Sequence, residues 1–279
     1  LLASCVMIDS AVSFVCAVIL GLGIGIGGML DPGAAQRLFN APVLLAKSQI
    51  TYDQIDMTLM IVFMSGLVTN FILYHVMMNV FKRPLLGGKF MIPTNSVVDS
   101  KLIVGSALFG FGWALGGYCP GPAIISMANG HLSPYVFCLS MFLGMTAYKK
   151  QSTHTWKMTN DVVQSMIIVG GVGGFYYVTR QTPVFTSFYP ILPYINRTEQ
   201  RIMGGMLIGL SAALMMLLRG KILGISGIVS GIFTPCNDRG YRLSFFFGLI
   251  CAGEILYQYY PIAIANVLPR PLWIFILGG

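Results

Sequence analysis

The stretch LFGFGWALGGYCPGPAI, residues 108–124, is apolar enough for a membrane helix, yet it carries two prolines two positions apart, Pro120 and Pro122, which a helix interior does not tolerate. Proline lacks the backbone amide and clashes with the preceding turn. The apolar run 102–130 is therefore expected to break, with a helix over 102–118 ending near Tyr118. Proline is well accepted in a first turn, so a new half-helix is expected to start near Gly121 or Pro122. Its first amides have no intrahelical partner, and the dipole there favours an anion. Cys119 sets a polarisable sulfur beside them. Gly117, Tyr118, Cys119, Pro120, Gly121 and Pro122 thus form a candidate site for a small anion, above all one containing sulfur. The plainer alternative is a small residue packed at a helix kink. Trp113 and Tyr118 either line this path or pack on neighbours.

The whole chain supports a membrane reading. Of 279 residues, 56% are hydrophobic and 9% charged, where soluble domains carry about 25% charged residues. This excludes an ordinary cytosolic enzyme, a disordered chain and a disulfide-stapled secreted domain. The net charge of +8 fits Lys and Arg in loops facing anionic headgroups. No basic run is interleaved with aromatics, so no nucleic-acid partner is expected. The six cysteines show no metal-ligand spacing; no metal site and no bound cofactor are expected. All but Cys119 read as small hydrophobes or end residues.

A bilayer core of roughly 30 Å needs about 20 apolar residues per helix. The runs 11–30, 56–81, 132–148, 162–179, 202–218 and 243–265 qualify or nearly do. The run 222–235 is too short to span, and a last run begins near Pro271. The predicted fold is an all-α polytopic integral membrane protein with pseudo-symmetric halves and broken or re-entrant half-helices. The halves are expected at 1–150 and 201–279, joined by a connecting helix and loop at 151–200; the second half is expected to be incomplete at its C-terminus. With the N-terminus inside, the loops place Arg219, Lys221, Arg239 and Arg242 among the inside charges, and Arg37, Arg197 and Arg201 among the outside ones. Which membrane this is does not follow from the sequence. No segment is long and polar enough for a nucleotide-binding domain, and no phosphate-cradling G-x-x-x-x-G-K-[ST] motif occurs.

Two segments echo each other. In GLGIGIGGMLDPGA (21–34) and GFGWALGGYCPGPA (110–123), Gly21, Gly23, Gly27 and Gly28 fall on Gly110, Gly112, Gly116 and Gly117. After a one-residue slip, Pro32 and Gly33 fall on Pro120 and Gly121. A third small-residue piece, GISGIVSG (224–231), offers Gly224, Ser226, Gly227 and Ser230 as a further dip. Small residues at this spacing let membrane helices pack closely, which alone accounts for the first and third pieces. It does not account for the sharp stops at Asp31-Pro32-Gly33 and Cys119-Pro120-Gly121-Pro122. Broken backbone at membrane depth persists only where protein or a water-filled cavity satisfies it, and paired interrupted segments point to a transport site.

Other residues have plainer readings. Asp31 is expected to cap a half-helix. Glu254, inside an apolar run, either carries a coupling proton or sits near enough to the interface to be solvated. His75 is expected to be buried and neutral. Cys236 falls at the loop end of the third dip, and Asn196-Arg197-Thr198 has the N-glycosylation pattern.

LFGFGWALGGYCPGPAI resembles the signature of the YeeE/YedE sulphur-transport family. GLGIGIGGMLDPGAAQRLF (21–39), RPLLGGKFMIPT (83–94), RIMGGMLIGLSAALMMLLRGKILGISGIVSG (201–231) and YRLSFFFGLICAGE (241–254) resemble further segments of it. The resemblance implies a membrane permease with pseudo-symmetric halves, in which cysteines along a narrow central path pass thiosulfate or a related sulfur anion. Cys119 is the matching cysteine, with Pro120, Gly121 and Pro122 shaping its loop. Leu30 stands where the echo would place a second one. The expected function is therefore transport, not catalysis. The alternatives are an accessory membrane subunit that keeps the fold without transport, or a membrane sulfurtransferase with a Cys119 persulfide. The latter would need a soluble sulfur carrier or another membrane partner.

Overall fold

Glycine spacing in the first helix sets how its neighbours approach. The computed structural model describes residues 2–45, 56–92, 96–151, 158–181, 197–233, 238–263 and 271–279. Helix α1 spans Leu2–Ile26, α8 Arg197–Arg219 and α10 Arg239–Tyr259. Gly21 and Gly25, four residues apart and so on one face of α1, meet Ala252 and Leu256 of α10. Gly23 and Gly27 form a second face and meet Gly204 of α8; a Cβ at Gly23 would lie 2.8 Å from the Gly204 carbonyl oxygen. Close backbone approach of this kind is how helices associate in lipid, where apolar burial supplies no driving force between them.

Helix α8 repeats the device on its other side. Gly205 and Gly209 pack on Ser65 and Gly66 of α3, which spans Thr58–Val80. The segment after α3 then closes over the end of α8. The amides of Leu85, Leu86 and Met91 donate to the carbonyls of Leu217, Leu218 and Gly220 at 2.9, 3.0 and 2.7 Å. Carbonyls that a helix end leaves orphaned are thereby satisfied.

Around this α1–α3–α8–α10 unit lie α2 (Pro32–Leu45), α4 (Ser100–Gly116), α5 (Pro120–Ser126), α6 (Leu132–Gln151), α7 (Met158–Gln181), α9 (Ile225–Ser230) and α11 (Leu272–Gly278). No strand occurs among the described residues. Met7–Ile26, Thr58–Val80, Ser100–Asn129 and Arg197–Arg219 are long and apolar enough to cross a membrane. Large apolar side chains such as Leu67 and Phe71 on α3, and Leu108 and Phe111 on α4, point outward, which suits a lipid surround. The protein is an all-α polytopic membrane protein.

Charges gather at the two ends. At one end Arg219, buried, bonds Asp9 at 2.5 Å and Ser13 at 3.2 Å. Arg219, Lys221 and Arg242 all lie over the Tyr241 ring, at 4.6, 4.2 and 5.2 Å from its centroid. Arg37, Arg197 and Arg201 line one cavity, at the opposite end of α8 from Arg219.

One expectation is corrected, and one of the two alternatives for Glu254 is removed. His75 is exposed rather than buried, and its ring stacks on Phe71 with centroids 6.3 Å apart; both lie on the outward face of α3. Glu254 is buried, at 8% exposure, rather than solvated, because α10 is packed along α1 over this stretch. Cys236 and Asn196 lie outside the described residues.

Candidate functional site

The expected break is present. Helix α4 ends at Gly116, two residues before Tyr118. Gly117 follows in the left-handed region at φ 73°, its amide donating to the Trp113 carbonyl at 2.8 Å. That conformation is strained for any residue with a Cβ. Cys119 then adopts an extended backbone (φ −98°, ψ 158°) as the N-cap of α5, which starts at Pro120, slightly earlier than the spacing predicts. Proline fits there because the first-turn amide would be orphaned in any case. The Cys119 carbonyl accepts from the Ala123 amide at 3.0 Å, its side chain makes no capping hydrogen bond, and its thiol is half-buried and free. Pro120, Gly121, Pro122 and the rest of α5 are buried.

The two interrupted segments and the short dip meet here. Gly117 abuts the Pro32 carbonyl so closely that a Cβ would collide with it. Gly121 lies between Ile24 of α1 and Ile225 of α9; a Cβ at Gly121 would stand 3.2 Å from the Ile24 Cδ1 and 2.6 Å from that of Ile225. Gln36 of α2 donates to the Leu115 carbonyl in the last turn of α4 at 2.9 Å. Thus the first break supports the end of α4, and the start of the third dip reaches the start of α5.

Within the first break, Asp31 caps α2 as expected. Its Oδ1 accepts from the Gly33 amide at 2.8 Å, and its Oδ2 pairs with Arg37 at 2.6 Å. Pro32 and Gly33 are buried. In the third dip, Gly224, Ser226 and Gly227 are exposed and Ser230 is half-buried. No atom lies within 4 Å of a Cβ placed at Gly224 or Gly227, so close helix packing does not explain those glycines. The Gly227 carbonyl accepts from Arg242 at 2.6 Å and from Ser230 at 3.3 Å.

The aromatic neighbours of Cys119 turn to packing. The fully buried Tyr118 ring sits against Phe137 and Phe275, with centroids 5.6 and 5.9 Å away. Trp113 meets Phe63 edge-on at 6.0 Å and packs on the cluster of Ala34, Ala35 and Leu59. Cys16 and Cys138 are buried in the core, as small hydrophobes are. Among the described residues no group of three or more His, Cys, Asp or Glu side chains could hold a metal ion.

One polar cavity adjoins this region, and sequence reasoning did not identify it as a site. Arg37, Asp56, Arg197, Gln200, Arg201 and Tyr260 join Asp31 around it. Asp56 accepts from Arg37 at 2.8 Å and from the Thr58 amide at 2.9 Å, and also bonds the Thr58 hydroxyl. Burial pushes the Asp56 carboxyl up, but the Thr58 and Arg37 bonds outweigh it and hold it below the usual carboxylate range. Burial likewise opposes the charge on Arg37, and its bonds to Asp31 and Asp56 more than restore it. The available signal was the placement of Arg37, Arg197 and Arg201 on one side of the membrane.

Comparison with known proteins places the chain. The family of unknown function DUF6691 matches residues 8–159, more than half of the 279 residues, and the chain belongs to that family. Two proteins named "Probable transporter", from Xylella fastidiosa strains Temecula1 and 9a5c, are similar to it. They are 45% and 44% identical over 69 residues, which cover 25% of this chain and 47% of each relative. The chain thus spans about half the length of the curated relatives it matches. No solved structure matches it.

Proposed function

We propose that this DUF6691 member is a membrane permease for a small sulfur-containing anion, thiosulfate first, passed along a narrow central path at Cys119. The observation that carries the reading is the meeting of two interrupted segments and a short dip at one place: the Pro32 carbonyl against Gly117, and Ile225 against Gly121. Irregular backbone from separate segments converging at membrane depth is the arrangement of transport sites. The half-buried, free Cys119 thiol stands at this junction. Its polarisable sulfur suits the terminal sulfur of thiosulfate; of the first amides of α5 only that of Gly121 is left beside it, because Pro120 and Pro122 have none and Ala123 donates to the Cys119 carbonyl. The names of the two Xylella relatives favour transport, and the resemblance of residues 108–124 to YeeE/YedE sulphur transporters favours a sulfur anion. On this reading the half-helices are re-entrant, the chain divides into halves at 1–150 and 201–279, and the protein moves its substrate without altering it.

One observation favours a second reading, an accessory subunit that keeps the fold without transport. Ile24 and Ile225 enclose Gly121 from two sides, and large apolar side chains closing the half-helices are what that reading requires.

Uptake of radiolabelled thiosulfate by proteoliposomes holding the full-length protein separates the two, with sulfate as the control ion. The permease reading expects accumulation by wild type and loss of it in Cys119→Ala. Equal uptake by both removes Cys119 from the path. No uptake by either puts the accessory reading first.

A further inference from the structure

The cavity beside the first break has a volume of about 250 Å³, below the roughly 300–1,000 Å³ of pockets for drug-sized ligands. It suits a ligand of few heavy atoms. Its charges do not balance, with three guanidiniums, Arg37, Arg197 and Arg201, facing two carboxylates, Asp31 and Asp56. Both carboxylates are committed to Arg37, at 2.6 and 2.8 Å. Asp56 reaches Arg201 only at 3.9 Å, and among the described residues Arg197 makes no ion pair. The 23-residue helix α8 begins at Arg197, so its positive end lies at the same cavity. Tyr260, from the end of α10, donates to Gln200 at 3.0 Å and holds that amide against the wall.

We propose that this cavity is an anion-binding vestibule in which Arg197 and Arg201 take a small divalent oxyanion of the sulfate or thiosulfate type. A guanidinium presents a planar fork that matches two oxygens of such an ion. Arg37, locked between Asp31 and Asp56, shapes the wall and takes the closer contacts of both carboxylates, which leaves Asp56 only the longer 3.9 Å approach to Arg201. The site does not depend on Cys119 or on sulfur chemistry. It shares with the broken helix only the Asp31-Pro32 turn, which lines the cavity on one side and touches Gly117 on the other.

The test is calorimetric titration of the purified full-length protein with inorganic sulfate at low ionic strength. Arg197→Gln with Arg201→Gln is expected to weaken sulfate binding about tenfold or more, the effect of losing charge-assisted hydrogen bonds. Lys101→Gln, which removes the exposed Lys101 charge outside the cavity lining, leaves the affinity unchanged. Should the glutamine pair not fold, Arg197→Lys with Arg201→Lys keeps the charge, loses the fork, and still weakens binding. The proposal is overturned if wild type binds no sulfate, if the arginine variants bind as wild type does, or if Lys101→Gln weakens binding as much. Sulfate binding without thiosulfate uptake leaves the vestibule standing and removes the permease. Uptake whose KM is unchanged in the arginine variants removes the vestibule and leaves the permease.

Discussion

Gly204→Ala adds one methyl group where α8 crosses α1. The new Cβ would fall against the Gly27 amide and Cα and 2.6 Å from the Gly23 carbonyl oxygen. All three are backbone, so no side chain can rotate away, and the helices must separate along the crossing. Overpacking of this kind costs about 1–3 kcal/mol. The alanine returns about 1 kcal/mol of helix propensity, which leaves a net loss of about 0–2 kcal/mol, with bulkier Gly204→Val well beyond it. In a bilayer the loss of close contact is not offset by apolar burial, because lipid receives the exposed surface as well as protein does. The control is Gly105→Ala on α4, where a Cβ meets no atom within 4 Å and only the propensity gain remains. Thermal unfolding in detergent, followed by loss of the monodisperse size-exclusion peak, ranks the variants. The expected order is Gly105→Ala at or above wild type, then Gly204→Ala, then Gly204→Val. A Gly204→Val protein as stable as wild type, or a Gly105→Ala protein as damaged as Gly204→Val, would refute the backbone-contact argument.

Two further outcomes follow from the buried and paired carboxylates. Glu254 accepts from Gln258 at 2.6 Å through Oε1, while its buried Oε2 has no hydrogen-bond partner among the described residues. Glu254→Gln keeps the shape and the oxygen that Gln258 bonds, so its unfolding temperature should stay close to that of wild type; a marked fall would show that Oε2 is held by a bond an amide cannot replace. Asp56, held below its ordinary value of 3.8 by Thr58 and Arg37 against the effect of burial, contributes stability that is complete above that value. The contribution is lost as pH falls from there through the lower folded value. Unfolding midpoints measured downward from pH 5 should drop more steeply for wild type than for Asp56→Asn, and parallel curves would sink the assignment.

The resemblance and the physics of the residues agreed on different things. Local rules were enough to place the break between α4 and α5, because a proline acts on its own preceding turn and needs no partner. They also placed the Asp31 cap, which bonds an amide two residues away. They did not predict the left-handed Gly117, whose need arises from the Pro32 carbonyl packed against it.

Sequence by itself determined that the chain is helical, that it enters a membrane and where its helices are interrupted, since these depend on composition and on neighbours within a turn. It did not determine which face of each helix turns inward. In lipid both faces are apolar, so hydrophobic periodicity does not separate core from surround as it does for a soluble helix. His75 therefore faces outward and Glu254 inward, with little in their flanking residues to distinguish them. Only the tertiary structure divided the α1 glycines between α8 and α10 and brought Pro32 against Gly117 and Ile225 against Gly121. It alone gathered Asp31, Arg37, Asp56, Arg197, Arg201 and Tyr260 around one cavity, because contacts between segments far apart in the chain are set by how helices cross.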